Sequence, residues 1–205
     1  MIELMNDIIS KIEGTLADEK VRLPLKIGLP FIPVVGSHLE TMYKHFLESW
    51  DRRKLNEKID DANAKQVELA THAVFSTLHC IKEAKIERIL DILSNSLEKS
   101  IPNTDEAEDL INIVVELSEN EAIVFGAIYK NLNSEENKKS NDMPKITTTS
   151  IKNIVPQYKD KIIFYLNRLQ GKGLLEEDTG IWREEGKIYK STMIGQQLFD
   201  TFHNS

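Results

Sequence analysis

Apolar positions in the first half of the chain recur three and four residues apart, the spacing of helices that each bury one face. Ile2, Met5, Ile9 and Ile12 mark one such helix over residues 2–13, ended by Gly14. Leu39, Met42, Tyr43, Phe46, Leu47 and Trp50 mark a second, which Ser37 and Glu40 open as a capping box. Residues 51–66 are densely charged, either a solvated extension of that helix or the turn into the next. Val67, Ala70, Val74, Leu78 and Ile81 form another stripe. Ile86, Ile89, Leu90, Leu93 and Leu97 form the following one, closed by Pro102. Leu110, Ile113, Val114 and Leu117 form the last, entered from Thr104. No strand-like alternation interrupts the series, so residues 1–117 are expected to fold as a helical bundle.

A different punctuation begins at Ser118, whose pairing with Glu121 is a second capping box. Val124, Phe125, Ile128, Tyr129 and Leu132 share one face of the helix it starts. Residues 133–146 are polar and lysine-rich, which predicts a mobile surface loop. Thr147–Ser150 can cap a short helix through Val155, and Pro156 suits the first turn of a long helix running to Gly171. Gly171 and Gly173 stop that helix. Leu174-Leu175 then opens a charged hairpin, and Ile188-Tyr189-Lys190-Ser191-Thr192 leads into a final helix carrying Gly195 and Leu198. Three helices, a two-stranded wing and a closing helix are the order of a winged helix. The expected fold is therefore mainly α: a helical bundle over 1–117 and a winged-helix domain over 118–205.

In a winged helix the segment 156–170 is the helix offered to a major groove. At about 100° per residue, Tyr158, Ile162, Tyr165, Leu166 and Leu169 cluster inward. Gln157, Asp160, Lys161, Phe164, Asn167 and Arg168 face out. Lys161, Arg168 and the following Lys172 are candidate phosphate contacts, and Gln157 and Asn167 are candidate base readers. Phe164, in the middle of that face, suits a protein partner better, as does Trp182 near the wing tip. Packing inside the domain is the alternative for both aromatics.

Charge sharpens this choice without deciding it. The chain of 205 residues carries a net charge of −7. Residues 137–205 hold 11 Lys/Arg against 8 Asp/Glu, whereas the remainder holds 15 against 25. An acidic body repels phosphate, so any DNA contact is expected to be local. Glu176, Glu177, Asp178, Glu184 and Glu185 outnumber Arg183 and Lys187 in the wing, which disfavours its insertion beside phosphates. DNA and a protein partner both remain open.

Catalytic and metal-binding signatures are missing from the pattern. His38 and His45 are seven residues apart, as are His72 and His79. That is about 10.5 Å of helical rise, too far to share one ion. No phosphate loop, dinucleotide fingerprint or nucleophile elbow occurs. Gly171-Lys172-Gly173 follows a helix and reads as its C-terminal stop. The expectation is a non-enzymatic protein with no cofactor, no metal and no evident small-molecule substrate. The single Cys80 and the lack of a cleavable leader fit a cytoplasmic location.

Residues 23–36 are apolar but broken by Pro24, Pro30, Pro33, Gly28 and Gly36, and fall short of the ~20 apolar residues that span a bilayer. A buried irregular segment is one reading. A membrane-active helical effector using this segment is the alternative function for the whole chain.

Several short motifs, taken in order, resemble a set of bacterial and prophage helical proteins akin to the abortive-infection alpha group. A Pro/Gly-interrupted apolar segment, Ile32-Pro33-Val34-Val35-Gly36-Ser37, precedes the basic helix end Trp50-Asp51-Arg52-Arg53. Lys85-Ile86-Glu87-Arg88 and Ile92-Leu93-Ser94-Asn95-Ser96-Leu97 match a helix ending in an Asn–Leu signature. Leu117-Ser118-Glu119-Asn120-Glu121 matches the Leu-Ser-x-x-Glu junction, and Tyr189 through Gly195 with Leu198 matches the closing pattern. The likeness spans about residues 24–202. It implies a bacterial or mobile-element origin and a role in phage conflict, and it carries no catalytic residues. The expectation is thus a regulatory or interaction protein that binds DNA or a protein through its winged helix, with homodimerisation compatible with its long amphipathic helices.

Overall fold

The computed structural model describes residues 36–60, 62–78, 80, 82–98, 103–134, 144–179 and 186–203. The protein is mainly helical, with one small antiparallel sheet near its C-terminus. The chain divides into two compact units, Met1–Val115 and Glu116–Ser205. The expected helix over 2–13, the segment 23–35, His79 and Ile81 lie outside the described residues.

In the first unit, α1 (Gly36–Arg52) is followed by a tight turn in which Lys54 has φ of 50°. That turn resolves the charged stretch: it contains a short helix, α2 (Leu55–Asp60), before α3 (Ala64–Leu78) begins. Asn63 and Gln66 cap α3 reciprocally, each backbone N–H donating to the other's side-chain oxygen at 2.9 and 3.1 Å. α4 (Glu83–Glu98) packs against α1, α2 and α3 and is the centre of this unit. Its predicted stripe is buried at Ile86, Ile89, Leu90 and Leu93, and Ile92 joins it. In α3 the buried face is turned toward Leu69 and Ala73 beside Ala70 and Val74, while Val67 is only half-buried. α5 (Thr104–Glu116) buries Ala107, Leu110, Ile111 and Val114. Asn103, rather than Thr104, stands at its cap and accepts from the Glu106 backbone at 3.4 Å.

The second unit starts with the capping box expected at Ser118 and Glu121, both halves formed, opening α6 (Glu119–Leu132). Residues 135–143 lie outside the description, but the expected loop does not extend to 146. Lys145–Thr147 is a strand, β1, because Ile146 is buried opposite Tyr189. Thr147 then caps α7 (Thr148–Ile154) through the Ser150 N–H at 3.1 Å.

The long helix expected from Pro156 is shorter than the spacing suggested. Proline disfavours the α conformation in the residue before it, and Val155 sits at φ −125°, ψ 65°. Pro156–Tyr158 forms a single 3₁₀ turn, and α8 (Ile162–Gly171) starts only after Lys161. Its C-terminus closes by a Schellman arrangement. Gly173 takes φ of 70°, its N–H donates to Gln170 at 2.9 Å, and the Leu174 N–H donates to Leu169 at 2.9 Å.

β2 (Leu175–Glu177) and β3 (Ile188–Ser191) pair antiparallel, and α9 (Met193–His203) completes the unit. The sheet has three strands in the order β1-β3-β2, one more than the two-stranded ribbon expected from sequence. Tyr129 fastens this sheet to α6. Its hydroxyl donates to the Leu174 carbonyl at 2.6 Å and accepts from the Thr192 N–H at 3.1 Å.

Candidate functional site

The exposed face of α8 and the turn before it gather most of the residues singled out by sequence. Ile162, Tyr165, Leu166 and Leu169 are buried as their spacing predicts. Tyr158 is half-buried. Gln157, Asp160, Lys161 and Asn167 are exposed. Phe164 is 58 % exposed and its neighbour Ile163 44 %, so two large apolar side chains stand on this face.

Phe164 is held in place rather than left loose. Its ring meets Tyr165 edge-on at 5.4 Å, and Tyr165 meets Tyr158 edge-on at 5.5 Å. Asn120, at the start of α6, ties the two tyrosines together. It accepts from the Tyr158 hydroxyl at 3.0 Å and donates to the Tyr165 hydroxyl at 3.2 Å. The Arg168 guanidinium lies 5.7 Å from the Phe164 ring centre, a cation–π distance.

Arg168 and Lys172, candidate phosphate contacts from sequence, are each paired with an acid of the same chain. Arg168 Nε donates to Glu121, whose side chain has no exposed surface. Burial pushes the Glu121 carboxyl up, but hydrogen bonds from Ser118 and the Arg168 guanidinium outweigh it, so its pKa falls below the usual range. Lys172 Nζ binds Glu116 at 2.9 Å and is only 12 % exposed. That bond holds the Glu116 carboxyl below its ordinary value.

Lys161, a candidate phosphate contact from sequence, does stand free, as do Lys152 and Lys159, which sequence reasoning missed. Lys152, Lys159 and Lys161 are exposed and make no ion pair among the described residues. Only the fold separates these lysines from those at the sheet, which are consumed by acids across it. Lys145 pairs with Asp178 at 2.6 Å, Lys187 with Glu177 at 2.7 Å and Lys190 with Glu176 at 3.0 Å. The β2 acids are therefore neutralised strand by strand. Trp182, Arg183, Glu184 and Glu185 lie outside the described residues.

No protein-family model, curated protein or solved structure matches the chain.

A second polar cluster, in the first unit, was also invisible to sequence reasoning. His45, Ser49 and Arg53 follow one another at four-residue spacing, and Glu87 and Asp91 do the same on α4. Arg53 Nη2 lies 2.5 Å from both Glu87 and Asp91. Ser49 donates to Glu87 at 2.5 Å, and His45 Nε2 lies 2.9 Å from the same oxygen. Complementary rows on two helices are the signal that could have found it. The arrangement suits a tie between helices: Ser49 has no exposed surface for attack on a substrate, and Arg53 already occupies both carboxylates. Burial pushes Glu87 up, but Ser49, Arg53 and Arg52 together hold it below the ordinary carboxylate value, which keeps it ionised near neutrality.

Among the described residues no group of three or more His, Cys, Asp and Glu is placed to hold a metal ion, and no helix is long and apolar enough to cross a membrane. His72 is half-buried, with Nδ1 unbonded among the described residues.

Proposed function

We propose that the protein is a non-enzymatic interaction protein whose second unit is a winged helix, and that α8 presents Phe164 and Ile163 to a protein partner. The observation carrying this is Phe164: 58 % exposed, braced by Tyr165 and covered on one side by an arginine already neutralised from beneath. An aromatic that loses little freedom on contact, next to a guanidinium, is the composition of an interface anchor. The order α6, β1, α7, α8, β2, β3 supports the winged-helix reading. The resemblance to bacterial and prophage proteins akin to the abortive-infection alpha group supports a role in conflict between a bacterium and its phages.

A photo-crosslinkable residue at position 164, activated in the source cell, tests the reading. A discrete protein adduct at 164, absent when the probe sits at the exposed Lys130, is expected. Absence of any protein adduct at 164 overturns it.

DNA binding is the second reading, favoured by the free Lys152, Lys159 and Lys161 beside exposed Gln157 and Asn167. Three phosphate contacts predict a log–log salt slope of about −2.7 in a gel-shift titration, flattened by replacing the three lysines with alanine. No shift in low salt removes this reading.

A further inference from the structure

The outer face of α8 is complementary to itself. Phe164 and Arg168 stand one turn apart on α8, and Asp160 precedes Phe164 by four residues in the turn that leads into the helix, so an acid, an aromatic and a base follow one another along this part of the chain. Asp160 is exposed and makes no ion pair among the described residues. Glu121 takes the Nε of Arg168, while the two Nη groups make no hydrogen bond among the described residues and the side chain is 47 % exposed.

A two-fold axis through Phe164, with two copies of α8 antiparallel, places residue 164 + k opposite residue 164 − k. Phe164 then meets Phe164 of the second copy, and Arg168 meets Asp160 in both directions. Lys161 faces the neutral amide of Asn167, so the row contains no like-charge clash. Arg168 lies ~6 Å of helical rise from the axis and Asp160 is presented by the leading turn, so the two ion pairs flank an apolar centre made by Phe164 and Ile163. Such isologous contacts need only one patch that fits its own copy.

Resting on the interaction reading above, we infer that the partner of this face is a second copy of the same chain, bound antiparallel through Asp160, Phe164 and Arg168. One helix face buries far less than the ~20–30 residues a side of a standard interface. The dimer is therefore weak and concentration-dependent.

Sedimentation velocity on the full chain, across a concentration series from about ten micromolar to about one millimolar, tests this. The wild type is expected to shift from monomer to dimer. Asp160→Lys, which sets Lys against Arg168 twice per dimer, is expected to weaken association about tenfold, and Phe164→Ser at least as much. Because both positions are exposed, thermal melts of the variants are expected to match the wild type. A wild type that stays monomeric throughout, or a dimer that neither substitution weakens, overturns the inference. Crosslinks from position 164 reaching only other proteins would also overturn it while leaving the interaction reading standing.

Discussion

Glu121, with no exposed surface, is bound on one carboxylate oxygen by Arg168 and on the other by the Ser118 backbone N–H at 2.7 Å. One side chain thus caps α6 and anchors α8. Glu121→Ala is expected to cost about 2–4 kcal/mol, combining a lost cap with a lost charge partner. Arg168→Ala should cost less, about 1–2 kcal/mol, because the guanidinium is half exposed and Ser118 still satisfies the carboxylate. Urea denaturation of the two variants checks the ranking.

Acid should expose the same feature. Glu121 and Glu87 both titrate below the ordinary carboxylate value in the folded protein. A depressed folded pKa contributes stability above the unfolded value near ~4.3, and that contribution is lost as the pH falls through the folded value. Melting temperature should therefore be insensitive to these groups above about pH 5 and fall below about pH 4. The acid slope should be shallower in Glu121→Gln and in Glu87→Gln.

Gly195 leaves no room for a methyl group. A Cβ there would run into the Tyr129 hydroxyl and come within 2.6 Å of the Leu174 carbonyl oxygen. Gly195→Ala is expected to destabilise the protein by about 3 kcal/mol or more. Combining it with Tyr129→Phe should cost less than the two changes summed, since the hydroxyl is the nearest of three obstacles, while the ring Cζ and the Leu174 carbonyl stay in place. A double-mutant cycle by thermal or chemical denaturation measures this directly.

Arg53 is 14 % exposed between two carboxylates. Arg53→Ala leaves Glu87 and Asp91 facing each other and should cost about 3–5 kcal/mol. Adding Asp91→Asn should recover part of that loss by removing one of the repelling charges. Chemical denaturation of the single and double variants provides the comparison.

Much of this fold is legible in the chain because helix faces and caps are local. Ser118 and Glu121 announce α6 from their spacing alone, and the α4 stripe of Ile86, Ile89, Leu90 and Leu93 is buried as written. What escaped was set by distant partners. Lys145–Thr147 reads as loop because three residues have no period, and only pairing with Ile188–Lys190 makes them a strand. The long helix from Pro156 failed for the opposite reason: apolar spacing continues through the turn at Lys159–Lys161, although the hydrogen bonds do not.

The candidate face shows the same division. Exposure of Gln157, Lys161, Phe164 and Asn167 follows from periodicity. That Arg168 gives its Nε to one acid and Lys172 is paired with another does not, because Glu121 and Glu116 lie 47 and 56 residues away in sequence. Basic residues on a predicted outer face can thus be spent inward on acids that the linear pattern places elsewhere.

The Tyr129 hydroxyl, shared between the Leu174 carbonyl and the Thr192 amide, joins the beginning of one ribbon strand and the end of the other to a single point on α6. A tug on either strand is therefore delivered to the middle of a buried helix instead of being absorbed by a loop. Whatever grips the ribbon takes hold of the hydrophobic interior of the unit along with it.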